Sequence, residues 1–283
     1  MLAIIGTVPD PEIPVLEGEA ALISGQLAVE ARRFQVHRGT PALVAAAVQA
    51  CRVLERPLPV VCLAGDIGLG DGSRKLYGFL AEKLGALNYD VITFHYLQPD
   101  VDWHNRVLFA IEEMKRRPLL IADAGFMYAA KMSGQAEAYD LFTPDIGELA
   151  FLADEEAPHP FYTRGFIFHK ENDVQHLIDR AYRFKNAAKC LLVKGVRDYI
   201  ACGEGMSQIV DRPDEEAMEA IGGTGDTLTG IVTALVDSGM DLKEAAVKAA
   251  IINRTAGNYA KPSPATQISE IIEHIPKAMA SVL

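Results

Sequence analysis

The sequence predicts an α/β fold: a mostly parallel central sheet with helices on both faces. Three observations lead there. Short continuous apolar runs rich in β-branched residues recur along the 283 residues. Amphipathic or apolar stretches of about 10–15 residues separate them, which is the pattern of βαβ units. Most of the runs end on a Gly, Asp or Pro, so each strand stops at a polar or turn-forming tip. Crossovers of this kind are right-handed almost without exception.

The elements follow in order. Thr40-Pro41 opens ALVAAAVQACRVL, with Thr40 as the expected N-cap and Pro41 at the first helical position. PVVCLAG (59–65) is a buried strand closed by Gly65, followed by the Gly-rich turn GDIGLGDGS and the helix RKLYGFLAEKLGAL. YDVITFHYL (89–97) is a strand, and DWHNRVLFAIEEMKRR is an amphipathic helix. PLLIAD ends at Asp123 and leads into AGFMYAAKM. YDLFTP ends at Pro144 and leads into DIGELAFLA. Residues 154–170 read as a polar loop, then NDVQHLIDRAYRFKNA as a helix and KCLLVKG as a strand. DYIACGEGMSQIV is a hairpin with GEG as its turn. GGTGDTLTGIVTALVDSG is a Gly-rich loop running into an apolar helix. DLKEAAVKAAIINRTAGNYA and TQISEIIEHIPKAMA complete the pattern. Ligands of open α/β sheets lie beyond the carboxyl ends of the strands. The tips Gly65-Asp66, Asp123, Thr143-Pro144 and Lys194-Gly195 are therefore expected to face one crevice.

Composition narrows the function. Lys and Arg total 27 against 38 Asp and Glu, a net charge of −11. That argues against nucleic acid and against a polybasic membrane contact, both of which draw on clustered cations. No apolar run reaches the roughly 18 residues of a membrane helix. The first nineteen residues carry acids and no basic segment, unlike a secretory signal. Cys51, Cys62, Cys190 and Cys202 show no CxxC spacing; three of them sit in apolar stretches, which suggests buried reduced thiols and fits a cytoplasmic protein. No linker or repeat divides the chain, so 1–283 is expected to be one domain. Residues 1–40 match no element of the pattern and fit an oligomer arm or an added strand; a homo-oligomer is the expected assembly.

The most informative segment is Gly222-Gly223-Thr224-Gly225-Asp226-Thr227. Glycines at a helix start let several backbone N–H groups point at one spot, where the helix dipole adds about half a positive charge. Such a turn holds a phosphate even in an acidic protein. Asp226 then conflicts with the anion beside it, unless it serves as a general base kept ionised by local donors. The plainer alternative is a flexible helix start with a dipole-compatible carboxylate. Other residues also have plain alternatives: Glu148 as a capping contact, Lys194 as an edge lysine, Asp123 as an N-cap, and Arg74 and Lys75 as a solvated pair. His95, His104, His159 and His169 lack metal-ligand spacing.

At this point the chain resembles a family. GGTGDTLTGIVTALVDSGMDLKEAA is similar to the signature helix of the ribokinase-like superfamily. More narrowly it resembles the kinase-like domain of the NAD(P)H-hydrate dehydratases. PLLIADAGFMYAA is similar to that family's strand with a D-A-D-A-like tip, LFTPDIGELAFLA to its L-T-P-H-P-G-E helix, and CLLVKGVRDYIA to its V-L-K-G strand pair. VVCLAGDIGLGDGSRKLYGFLAEKL is a looser match to its first Gly-rich loop. The resemblance runs from about Val60 to the C-terminus.

The resemblance implies a three-layer α/β/α fold and a nucleotide site. Asp226 would be the general base. Gly223, Thr224 and Gly225 would form the anion hole, with Lys194, Gly195 and Asn253 bordering the nucleotide. Gly65, Asp66, Asp123 and Asp145 would lie on the substrate side. Gly147 and Glu148 match the family's G-E, where the glutamate helps organise phosphate and Mg2+. The implied partners are ATP or ADP, Mg2+ and a small substrate with a hydroxyl group. The implied reaction is ADP/ATP-dependent dehydration of hydrated NAD(P)H. The alternatives are a small-molecule kinase for a sugar or vitamin-precursor alcohol, and a nucleotide-binding protein without turnover. Two departures stand out: the family's H-P-G-E is Asp145-Ile146-Gly147-Glu148 here, and its lysine and G-D ahead of the first strand are not visible.

Overall fold

Leu2–Val8 is buried along its whole length and forms β1. The computed structural model describes residues 1–160, 174–203 and 205–283. Along the chain come β2 (Leu16–Ile23), β3 (Gln26–Val29), β4 (Arg32–Phe34), α1 (Thr40–Val53), β5 (Val60–Gly65) and α2 (Asp71–Lys83). Next are β6 (Val91–His95), α3 (Val101–Glu112), β7 (Leu119–Ala122), α4 (Gly125–Met132), β8 (Leu141–Phe142) and α5 (Ile146–Ala153). Then follow α6 (Val174–Arg183), β9 (Cys190–Val193), β10 (Asp198–Cys202) and β11 (Met206–Val210). The last helices are α7 (Thr224–Asp237), α8 (Leu242–Ala260), α9 (Ile268–Ile272) and α10 (Ile275–Val282). Among the described residues the strand order is β11-β10-β9-β8-β7-β6-β1-β5-β2-β3-β4. The six strands from β9 to β5 in that order run parallel, and antiparallel strands extend both edges.

Strand alternation splits the core into two layers. Leu2 and Ile4 of β1 pack with α1, α7, α8 and α10 on one face. Ala3 and Ile5 pack with α2, α3, α4 and α6 on the other. The sheet is therefore sandwiched between helices, as the alternating pattern predicts. Helices α1 and α7 approach closely at Gly230, where a Cβ would lie 2.2 Å from the Leu43 carbonyl oxygen.

Three expectations are corrected. Of the two readings of residues 1–40 the arm is ruled out and added strands are found: β1 is the strand between β5 and β6, and β2–β4 extend the sheet beyond β5. The run LAIIGTV has the same continuous apolar character as PVVCLAG and is a buried strand for the same reason. The N-cap of α1 is Gly39, whose carbonyl accepts from the Ala42 and Leu43 N–H groups; the Thr40 hydroxyl is turned toward His95 instead. Cys190 and Cys202 are not thiols but a disulfide, because they face each other across β9 and β10 with Cα atoms 4.1 Å apart. Cys51 and Cys62 remain free, and burial pushes both thiols up to about 12. The expected loop at 154–170 lies largely outside the described residues, as does His169. No described helix is long and apolar enough to cross a membrane.

Candidate active site

A cleft of about 610 Å³ opens beyond the carboxyl ends of β6, β7, β8 and β9, against the start of α7. It gathers most of the residues singled out in the sequence. Asp123, Asp145, Gly147, Glu148, Lys194, Gly195, Gly223, Thr224, Gly225, Asp226 and Asn253 all line it. Gly65 and Asp66 are not part of its lining. β5 lies on the far side of β1, and the segment after β1 covers its tip. A Cβ on Gly65 would stand 1.8 Å from the Asp10 carbonyl oxygen. Asp66 instead caps α2, accepting from the N–H of Gly68, Gly70 and Ser73 and from the Ser73 hydroxyl at 2.7–3.0 Å.

The start of α7 has the geometry of an anion hole. Gly223 adopts φ 102°, a left-handed conformation that suits glycine, and turns the chain into the helix. The first intrahelical bond is from Thr227 N–H to the Gly223 carbonyl. The preceding N–H groups, of Thr224, Gly225 and Asp226, belong to the first turn and have no acceptor within the helix. Lys194 stands beside them, with its side-chain carbon 3.4 Å from where a Gly225 Cβ would be.

Asp226 sits between two donors. Its Oδ2 accepts the Gly39 N–H at 2.6 Å, and its Oδ1 lies 3.1 Å from His95 Nε2. Burial raises the carboxyl, but the His95 contact, Lys194 and the Gly39 N–H outweigh it and hold Asp226 below the usual carboxylate range. Asp123 accepts from Lys194 Nζ at 2.8 Å with each carboxylate oxygen, from the Thr229 hydroxyl at 2.6 Å with Oδ2 and from the Ala124 N–H at 2.8 Å with Oδ1. For Lys194, burial lowers the ammonium, yet Asp123 and Glu148 drive it upward overall, so it stays charged. His95, Asp123 and Asp226 bring three potential ligand atoms within 4.8 Å. Each already has a partner, so the set is internally satisfied and we assign it no metal.

Asp145 and Glu148 form a capping box at α5. Glu148 N–H donates to Asp145 Oδ1 at 2.7 Å, and Asp145 N–H donates to Glu148 Oε2 at 2.8 Å. The plain capping reading of Glu148 is thus realised, and its side chain still faces the cleft. Burial pushes the Glu148 carboxyl well above its ordinary range; Lys194 opposes this, and Asp123 and Asp145 add to it.

Asn253 lines the cleft but spends its amide on α7, accepting from Thr227 at 2.7 Å and donating to the Thr224 carbonyl at 3.0 Å. It braces the glycine turn from below. Next to it, Arg254 pairs with Asp198 at 2.7 Å and donates to the carbonyls of Gly195 and Val196, clamping the loop after β9. The sequence reading missed Gly39, Thr40, His95, Tyr96 and Arg254. His95 ends β6 in the structure, but the apolar run in the sequence continues to Leu97 and hides that tip. Gly39 and Thr40 carried no such signal, because the strand that seats them was not recognised.

Comparisons with known proteins agree with this architecture. Residues 98–277 match the Carb_kinase family, described as NAD(P)H-hydrate dehydratase. The chain is 45% identical over 224 residues to the uncharacterized protein MJ1337 of Methanocaldococcus jannaschii, covering 79% of this chain and 92% of that one. It is 31% identical over 180 residues to the bifunctional NAD(P)H-hydrate repair enzyme Nnr of Pyrobaculum aerophilum. That match covers 62% of this chain and 32% of the relative, so the matched segment corresponds to about a third of the bifunctional protein. Among solved structures, the ADP/ATP-dependent NAD(P)H-hydrate dehydratase of Bacillus subtilis, co-crystallized with ATP and Mg2+, superposes with a TM-score of 0.61 at 14% identity. The alignment covers 100% of this chain and 90% of that one. A ribokinase-like superfamily protein of Enterococcus faecalis gives a TM-score of 0.59 at 16% identity, covering 99% and 87%. Fold and sequence together lead to one conclusion: the chain belongs to the NAD(P)H-hydrate dehydratase (Carb_kinase) family and has the ribokinase-like fold.

Proposed function

We propose that the protein is a nucleotide-dependent enzyme of the ADP/ATP-dependent NAD(P)H-hydrate dehydratase type. The observation that carries this reading is the placement of an ionised carboxylate, Asp226, next to free first-turn N–H groups and the Lys194 ammonium in one cleft. The nucleotide's terminal phosphate binds at Gly223, Thr224 and Gly225, where the helix dipole and N–H groups favour negative charge. The hydroxyl of the substrate attacks that phosphorus as its proton passes to Asp226. A new O–P bond forms, and the bond from phosphorus to the nucleotide's bridging oxygen breaks. In the dehydratase reaction the phosphate then leaves with the C–O electron pair, and loss of a ring proton restores the reduced nicotinamide.

Lys194 offsets the charge spreading over the phosphoryl oxygens. Asn253 and Arg254 keep the glycine turn and the loop at Gly195 in register. The cleft wall also fits a hard cation. Asp145 and Glu148 offer carboxylate oxygens there, and the upward push on Glu148 reflects burial together with two acidic neighbours that a cation would relieve. Mg2+ held through them and the phosphates would supply further neutralisation of phosphate charge.

A second reading stops at the phosphate ester, as a kinase for a small alcohol. Asp145 favours it, because it puts an acid where the dehydratase motif has a histidine. Release of ADP and phosphate from ATP, measured with hydrated NADH and with a panel of sugars and vitamin-precursor alcohols, separates the two. Turnover of an alcohol but not of hydrated NADH rejects the dehydratase. Asp226→Asn is expected to lower kcat by about 10²–10⁴-fold while leaving nucleotide affinity, read by calorimetry, near wild type. Near-full activity in that variant rejects Asp226 as the base.

A further inference from the structure

Behind Asp226 runs a chain of buried polar groups that phosphoryl transfer by itself does not require. Thr40 Oγ1 lies 2.9 Å from His95 Nδ1, and His95 Nε2 lies 3.1 Å from Asp226 Oδ1. Thr40 is 1% exposed and His95 0%. β1 backs the pair with a glycine: a Cβ on Gly6 would come within 2.6 Å of the His95 carbonyl oxygen and 2.8 Å of the Thr40 side chain. Gly39, next to Thr40, donates its N–H to the other Asp226 oxygen. One turn at the start of α1 therefore grips the carboxylate both directly and through the imidazole.

The chemistry of the contacts gives the chain a direction. An ionised carboxylate only accepts, so His95 must carry a hydrogen on Nε2. In a neutral ring Nδ1 is then an acceptor, and the Thr40 hydroxyl donates to it. A hydroxyl can serve either tautomer, but Asp226 accepts only one, and Thr40 completes that arrangement without strain on the ring. Two of the about four lone-pair sites on the carboxylate are used, and the others are left for a ligand in the cleft.

We propose that Thr40 and His95 are positioning residues that fix the Asp226 carboxylate, in its ionised form, with its unused lone pairs available to the acceptor hydroxyl. The inference rests on Asp226 being the base. Groups from each neighbouring element face Asp226. Gly39 N–H and Thr40 come from the start of α1, His95 from β6, Asp123 from the tip of β7 and Lys194 from the tip of β9; the Tyr96 ring lies 4.2 Å from that of His95. The charge of Asp123 is matched by Lys194. Burial favours the protonated acid, and His95, Lys194 and the Gly39 N–H favour the anion and outweigh it.

The test needs no substrate. NMR of labelled protein follows the Asp226 carboxyl carbon and the His95 ring nitrogens against pH. In the wild type, Nε2 is expected to be protonated and Asp226 to titrate below free aspartate. His95→Phe should move the Asp226 titration upward, because the imidazole contact that favours the anion is gone. His95→Gln, whose amide reaches the position of Nε2, should restore most of that shift. Thr40→Val keeps the shape and removes the hydroxyl; it should produce a smaller upward shift with Nε2 still protonated. An Asp226 titration unmoved in both His95→Phe and Thr40→Val, or an unprotonated Nε2 in the wild type, overturns the proposal. The wild-type tautomer and the isosteric Thr40→Val variant keep the test valid if His95→Phe fails to fold. ADP release is measured on the same proteins. The expected NMR behaviour without turnover of any acceptor rejects the proposed reaction and leaves the positioning role standing. Turnover with unmoved NMR does the reverse.

Discussion

Lys194 joins the two halves of the site. Its ammonium bonds both oxygens of Asp123 and borders the glycine turn, with side-chain exposures of 13% for Lys194 and 2% for Asp123. At that burial the pair acts less as a source of stability than as a commitment: removing one partner strands the other charge. Lys194→Met is therefore expected to destabilise the protein by about 3–5 kcal/mol in urea unfolding. Adding Asp123→Asn to the same chain should recover most of the loss, because the stranded charge is gone. A single variant within experimental error of the wild type would show that the pair is already solvated. The same residues mark how far single positions were readable. Asp123, Lys194 and Asp226 stood out because they end strands or open a glycine turn. His95 ended a strand too, yet a lone histidine in an apolar run reads as core until its partner is known.

At the scale of elements, caps and close approaches decide where the functional atoms sit. Asp66 was expected on the substrate side, and its carboxylate is instead consumed by the first turn of α2. Burial raises its carboxyl, and the bonds from Ser73, Gly70 and Gly68 outweigh that and lower it. A carboxyl lower in the folded than in the unfolded chain adds stability above the unfolded value. That contribution fades as pH falls through the folded value. Asp66→Asn is accordingly expected to be less stable than the wild type at neutral pH, with the difference shrinking on acidification below the ordinary aspartate range. A difference that is constant with pH would mean that the charge of Asp66 plays no part in the cap. Glycine-rich turns look alike in sequence: 65–73 and 222–227 both precede helices, but only the second meets the cleft. Strand order decides between them, and spacing along one chain does not encode it. The disulfide illustrates the same limit, since Cys190 and Cys202 become neighbours only once β9 and β10 pair.

Over the whole molecule, alternation of apolar runs and helical stretches was enough to read the α/β class and the helices on both faces; of the four strand tips expected at the crevice, Asp123 and Lys194-Gly195 line it and Gly65-Asp66 and Thr143-Pro144 do not. The position of the N-terminal forty residues was not readable from that pattern. A strand at the start of the chain has no preceding helix to announce it, and β1 takes its place in the middle of the sheet only through its pairing with β5 and β6. That placement shapes the site, because β1 backs His95 and Thr40 and sets β5 apart from the cleft. The net charge of −11 says little about the ligand, because the proposed anion site is local, made of neutral N–H groups and one lysine. The most direct test is a crystal structure with a non-hydrolysable ATP analogue and Mg2+. The account expects the terminal phosphate against the N–H groups of Thr224 and Gly225, within reach of Lys194, with space beside Asp226 for a hydroxyl. A nucleotide bound elsewhere, or a phosphate chain pointing away from the start of α7, would contradict it.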